Sequence, residues 1–230
     1  MTTDPLTLRR TARAIGVLML LSILFGTLGE AVLPGRIIVA GDAGATAANL
    51  ANATLVRLSF AAYLVEGICD LALAGCFYLL LRDVNRSLAL LSACFGLAAM
   101  ITYASAQSSF FGASLAVGDG SGMAAFSAQQ RAALAMLDIR RANAIGTLFL
   151  GLYGIATMLR GYLLLRSGYL PKLFGALFFL GGAGFFLRTA TYLLAPAYSS
   201  TLLLLPMAVG GIPLMLWLLI RGVAPQPYPR

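Results

Sequence analysis

Residues 61–81 read AAYLVEGICDLALAGCFYLLL, and apart from two acids, Glu66 and Asp70, every side chain in the run suits hydrocarbon. A bilayer-spanning helix needs about 20 such residues, and a charged side chain at its centre costs about 3 kcal/mol or more. The stretch therefore reads as a membrane helix that turns its acids away from lipid. Residues four apart stack on one helical face, so Ser59, Tyr63, Glu66 and Asp70 form a polar stripe directed at protein or water.

The rest of the chain has the same character. Of its 230 residues 60% are hydrophobic and 10% charged, where a soluble domain carries about 25% charged residues. Six apolar runs follow one another, at about 14–33, 57–81, 87–111, 142–165, 173–195 and 201–220. This predicts an all-α polytopic membrane protein, a bundle of six transmembrane helices forming a single domain over 1–230, with no sizeable soluble part. Short polar turns at 82–86 and 166–172 suit antiparallel neighbours. The first run follows a basic head and could serve as a cleaved leader, but a multi-spanning chain needs none, and we read it as the first span. "YLLLR" occurs at 78–82 and again at 162–166, before each turn, which places Tyr and Arg at an interface.

Charge and composition also exclude function classes. The net charge is +8, but the arginines sit at the ends of apolar runs and form no basic patch with interleaved aromatics, so nucleic-acid binding is not expected. With no His and three dispersed Cys, the usual ligands of a transition metal or haem are missing, and no metal or cofactor is expected. Histidine-based acid–base chemistry is excluded, and no enzymatic activity is predicted. With a cytoplasmic N-terminus, ten basic residues fall on the inner side, Arg160 and Arg230 among them, and six on the outer side. The positive-inside rule then places both termini in the cytoplasm.

Two outer segments exceed a turn. In "IVAGDAGATAANLANATL" (38–55), Asp42 is placed to cap a helix of small residues, and Asn52-Ala53-Thr54 has the form of a glycosylation sequon. Between Ala113 and Arg141, a link with Gly118, Gly120 and Gly122 precedes "AFSAQQRAALAMLDIRR", an interfacial helix or an extension of the fourth span.

The stretches "IVAGDAGATAANL" (38–50), "LLLRDVNRSLALL" (79–91), "LRSGYLPKLFGALFFLGGAG" (165–184) and "PLMLWLLIRGV" (213–223) together resemble the bacterial integral-membrane family catalogued as domain of unknown function 4386. The resemblance implies a multi-pass protein of a bacterial inner membrane and supplies no substrate, cofactor or catalytic residue. Members often carry an acid where Arg188 stands, and another just before the proline of the last span, where this chain has Gly211. A site built on those acids does not carry over.

Depth along the helices orders the charges. Glu30 lies 17 residues past Arg13, Glu66 lies 16 before Arg82, and Arg188 lies 16 past Lys172, so all three sit about 24–26 Å from the inner surface at 1.5 Å per residue. Arg188 is then placed to pair with Glu66 or Glu30, while Asp70 is a turn deeper. Thr102, Tyr103, Ser105, Gln107, Asn143, Thr147, Thr189 and Tyr192 gather in the same outer half, and the inner half is nearly all Leu, Ala and Phe. In the last span Pro206, Gly210, Gly211 and Pro213 predict an interrupted helix, a feature that lines binding sites in transporters. The expected site comprises Glu66, Asp70, Arg188, Tyr63, Tyr103 and Gln107. It binds a small polar or amphiphilic ligand in an outward-facing vestibule, or else serves a transporter or channel subunit that needs a dimer to form a path.

Overall fold

The computed structural model describes residues 5–118 and 121–223; Gly120 and Arg230 lie outside the described residues. The chain is an all-α polytopic membrane protein, with no strand among the described residues. Among the described residues, six helical stretches are long and apolar enough to cross a bilayer: Leu6–Ile37, Ala53–Leu81, Arg86–Val117, Ala128–Ser167, Lys172–Leu194 and Thr201–Ile220. The first is composite, with α1 (Pro5–Gly26) running into a π-helical turn (Thr27–Val32) and then α2 (Pro34–Ile37). A short α3 (Ala43–Leu50) precedes α4 (Ala53–Leu81), α5 (Arg86–Val117), α6 (Ala128–Ser167), α7 (Lys172–Leu194) and α8 (Leu205–Ile220).

Local chemistry sets the helix starts. The Asp42 carboxylate accepts from the Ala45 amide at 2.8 Å and caps α3 as expected. Asn52, the sequon asparagine, accepts from Leu55 N at 3.2 Å and begins α4, and Asn85 accepts from Leu88 N at 3.0 Å and begins α5. The largest departure from the predicted boundaries is α6. Its 40 residues begin at Ala128, well before the expected 142, because Ser127 and Gln130 form a reciprocal capping box, with Ser127 N to Gln130 Oε1 at 2.8 Å and Gln130 N to Ser127 Oγ at 3.2 Å. The segment after the glycine link is therefore an extension of the fourth span.

The chain forms two compact units. The first takes the described residues of Met1–Leu20, Cys69–Met100 and Thr147–Arg230. Its core joins Ile15 of α1, Phe77 and Leu80 of α4, Leu163 of α6, Phe178 of α7 and Leu218 of α8. Glycines bring α6 and α7 backbone to backbone. A Cβ on Gly154 would fall 2.7 Å from the Gly182 carbonyl oxygen, one on Gly182 would fall 2.6 Å from that of Gly154, and Gly161 and Gly175 repeat the arrangement seven residues along each helix. Close approach through small residues is how helices associate where lipid removes the hydrophobic drive.

α8 also depends on this packing. The predicted interruption is milder than the sequence implies: a 3-10 turn (Thr201–Leu204) leads into an α-helix that starts around Pro206 and continues through Gly210, Gly211 and Pro213 to Ile220. Pro206 occupies the first turn, where its missing N–H is not needed, and a Cβ on Gly210 would meet Leu177 Cβ at 2.7 Å. These residues shape a packed helix against α7.

The second unit takes Leu21–Ile68 and Ile101–Gly146. Thr46, fully buried, donates to the Asp42 carbonyl at 2.8 Å and accepts from Val39 N at 3.0 Å, and Asn49 Nδ2 donates to the Ile37 carbonyl at 3.2 Å. These bonds fasten the chain between α2 and α3. Large apolar side chains such as Ile101, Leu64 and Leu115 point outward in this unit, as lipid-facing residues do.

Candidate functional site

Within the second unit, α4 presents Ser59, Tyr63 and Glu66 on one face, and α5 presents Tyr103, Gln107 and Phe110 at the same helical spacing. The Tyr103 hydroxyl donates to the Glu66 carboxylate. The Tyr63 ring stands edge-on to Tyr103 at 5.9 Å and to Phe110 at 6.3 Å between centroids. Both tyrosines are buried, Glu66 and Gln107 half-buried, and the Tyr63 hydroxyl lies within polar reach of the Gln107 and Ser59 side chains.

The floor of this cluster is the π-helical turn. A Cβ on Gly26 would lie 2.5 Å from Glu66 Oε1 and 2.9 Å from its Cδ, so the carboxyl group rests on bare backbone at the point where α1 gives way to the π turn. Inside the turn, a Cβ on Gly29 would meet Tyr63 Cδ1 at 3.3 Å, and Ser59 Oγ lies 3.5 Å from the Gly29 carbonyl oxygen. Glu30, exposed and next to Gly29, acts electrostatically on both tyrosines. Single π turns inserted in α-helices occur frequently at functional sites because they re-aim side chains and backbone carbonyls. Here the turn collects two carboxylates, two phenols, an amide and a hydroxyl. Such a set, rich in acceptors and ring faces, recognises a donor-rich or positively charged group.

Four of the expected site residues, Tyr63, Glu66, Tyr103 and Gln107, thus belong to one cluster. Asp70 and Arg188 belong to the first unit. Asp70 is buried at 7% exposure, and Arg188 is half-buried on α7, its backbone carbonyl accepting from Thr191 Oγ1 at 3.1 Å. Nearby, Thr189 donates to the Thr147 carbonyl at 2.6 Å. Pro206, Gly210, Gly211 and Pro213 pack in α8 of the first unit and not in the cluster. A separate surface cleft of about 470 Å³, lined by Gly41, Ala43, Ala133, Met136, Leu137 and Arg140, contains none of the expected site residues.

Sequence reading missed three features. Depth counting placed Glu30 at the level of Glu66 but left it out of the site, although it acts electrostatically on both tyrosines. Gly26 carried no signal beyond being one of 25 glycines. Arg160, counted among the loop cations of the inner side, is 1% exposed inside α6. The first unit also buries Ser92 and Thr157, so it is less uniformly apolar than its composition implies.

No curated protein and no solved structure matches the chain. The family model described as Domain of unknown function (DUF4386) matches residues 14–222, nearly the whole length, and the chain belongs to that family.

Proposed function

We propose that this multi-pass membrane protein, placed in a bacterial inner membrane with both termini cytoplasmic, binds a small polar ligand bearing a positive or donor-rich group at the π-turn cluster, in a vestibule open to the outer side. The observation that carries the reading is the Glu66 carboxylate, seated on Gly26 and engaged by Tyr103, with Glu30 acting on the same two tyrosines. A cation beside two acids and two phenol rings gains both charge pairing and cation–π attraction. The arrangement supplies no activated nucleophile, so the reading is a binding protein, a sensor or an accessory subunit.

A panel of small organic cations, anions and neutral polyols, scored by the melting temperature of the detergent-solubilised protein, tests it. Stabilisation by cations in the wild type and its loss in Glu66→Gln is the expected result; a panel in which no response depends on Glu66 overturns the reading. Transport is the second reading, and it rests on Asp70, an acid buried near the middle of α4. In proteoliposomes it requires proton or ion flux that Asp70→Asn abolishes.

A further inference from the structure

The open cleft of the second unit shares no lining residue with the π-turn cluster. Its volume is about 470 Å³, and its walls are Ala133, Met136, Leu137 and Arg140 of α6 on one side and Gly41 and Ala43 at the start of α3 on the other. The α6 residues recur at helical spacing and so share one face. Gly41 has a φ of 80°, which side chains rarely tolerate, and nothing stands within 4 Å of its Cβ position. The facing wall is therefore bare backbone and a methyl group.

Lipid does not cover the apolar side of this cleft. Arg140 stands just before the apolar run at 142–165, which at about 1.5 Å per residue fills a hydrocarbon core of about 30 Å. Ala133, Met136 and Leu137 continue α6 beyond that boundary, and Leu137 is 53% exposed there. An apolar face exposed outside the bilayer marks a surface that something else covers. The charge of the cleft says what. Arg140 is exposed, and among the described residues its guanidinium makes no ion pair or hydrogen bond. The nearest acids in sequence are engaged elsewhere: Asp138 pairs with Arg141 at 2.8 Å, and Asp42 accepts from Ala45 N at 2.8 Å to cap α3. A planar guanidinium fork at one end of an apolar cleft matches a carboxylate at one end of an apolar chain.

We propose that this cleft binds a medium-chain carboxylate amphiphile, its carboxylate on the Arg140 fork and its chain along Met136 and Leu137. The volume falls in the range of about 300–1,000 Å³ that small-molecule sites occupy. The chain covers the exposed apolar face, and the charge selects an acid over an alcohol or a quaternary amine of equal length. The test uses the full-length protein in phosphatidylcholine nanodiscs, in a variant lacking Cys69, Cys76 and Cys94. A single reporter is introduced, Ala133→Cys in the cleft or Ala124→Cys outside it. Alkylation by an impermeant maleimide is timed against rising octanoate, octanol and octyltrimethylammonium at fixed lipid. Octanoate slows the reaction of Ala133→Cys by about fivefold at about four times its Kd and leaves that of Ala124→Cys unchanged. Octanol and octyltrimethylammonium need concentrations about tenfold higher or more, and Arg140→Gln raises the octanoate concentration for half-protection by about tenfold, as loss of a hydrogen bond to a charged group does. No protection by octanoate, equal protection by octanol, or a shift below about threefold in Arg140→Gln overturns the site. Ala43→Cys on the facing wall repeats the measurement, and protection at one wall only also overturns it.

Discussion

At the scale of single residues, the question is what keeps Glu66 tolerable inside a membrane helix. Within its own unit the carboxylate has the Tyr103 hydroxyl on one side and the Gly26 backbone on the other. Double-mutant cycles on the solubilised protein apportion these roles. Loss of the phenol in Tyr103→Phe removes a donor to a charged group, at a cost of about 1–3 kcal/mol, and the loss shrinks when Glu66 is already Gln. If Tyr103→Phe costs as much in the Glu66→Gln background as in the wild type, the phenol does not hold Glu66.

At the scale of elements, glycine placement governs how the helices of the first unit meet. Gly154 and Gly161 on α6 face Gly182 and Gly175 on α7, each pair seven residues from the next, and a side chain at any of the four meets backbone. Backbone does not rotate away as the end of a flexible side chain does, so the helices must separate. Gly182→Val is expected to lower stability by about 3 kcal/mol or more, the upper range for overpacking. Gly75, which has nothing within 4 Å of its Cβ position, serves as the control, since Gly75→Ala in α4 removes only the glycine's helix-propensity cost and should be neutral or stabilising by up to about 1 kcal/mol. Thermal denaturation of the two variants side by side checks the contrast, and equal melting temperatures would contradict the packing account.

At the scale of the whole molecule, the membrane orientation rests on the basic residues. With Arg160 buried inside α6, nine of the inner set remain, Arg230 included, against six outer ones, so the bias keeps its sign. Single cysteines introduced into a variant lacking Cys69, Cys76 and Cys94 report it. Ala124→Cys, in the exposed stretch before α6, should react with an impermeant reagent added to intact cells, and Asn85→Cys, between α4 and α5, should react only after lysis. The opposite pattern inverts the topology and places the π-turn cluster on the cytoplasmic side.

Much of this architecture is a local property of the chain. Apolar runs long enough to span a bilayer, Asp42 ahead of a helix of small residues, and the polar stripe from Ser59 to Asp70 follow from the chemistry of neighbouring residues, and so the spans and the α3 cap were legible from sequence. The start of α6 was not read, because polar residues between Ala128 and 142 break the apolar run, and the Ser127 and Gln130 pair that caps it is seen in the structure. Contacts between residues far apart in the chain were not. A π turn at Thr27–Val32 has no residue signature, the value of Gly26 appears only when Glu66 is laid against it, and Arg160 looks like an interfacial arginine until α4 and α5 close over it. Hydrophobic period and capping chemistry act over a few residues and fix which segments become membrane helices. Which buried charge meets which ring, backbone or carboxylate depends on helix packing, and that was decided only in the tertiary structure.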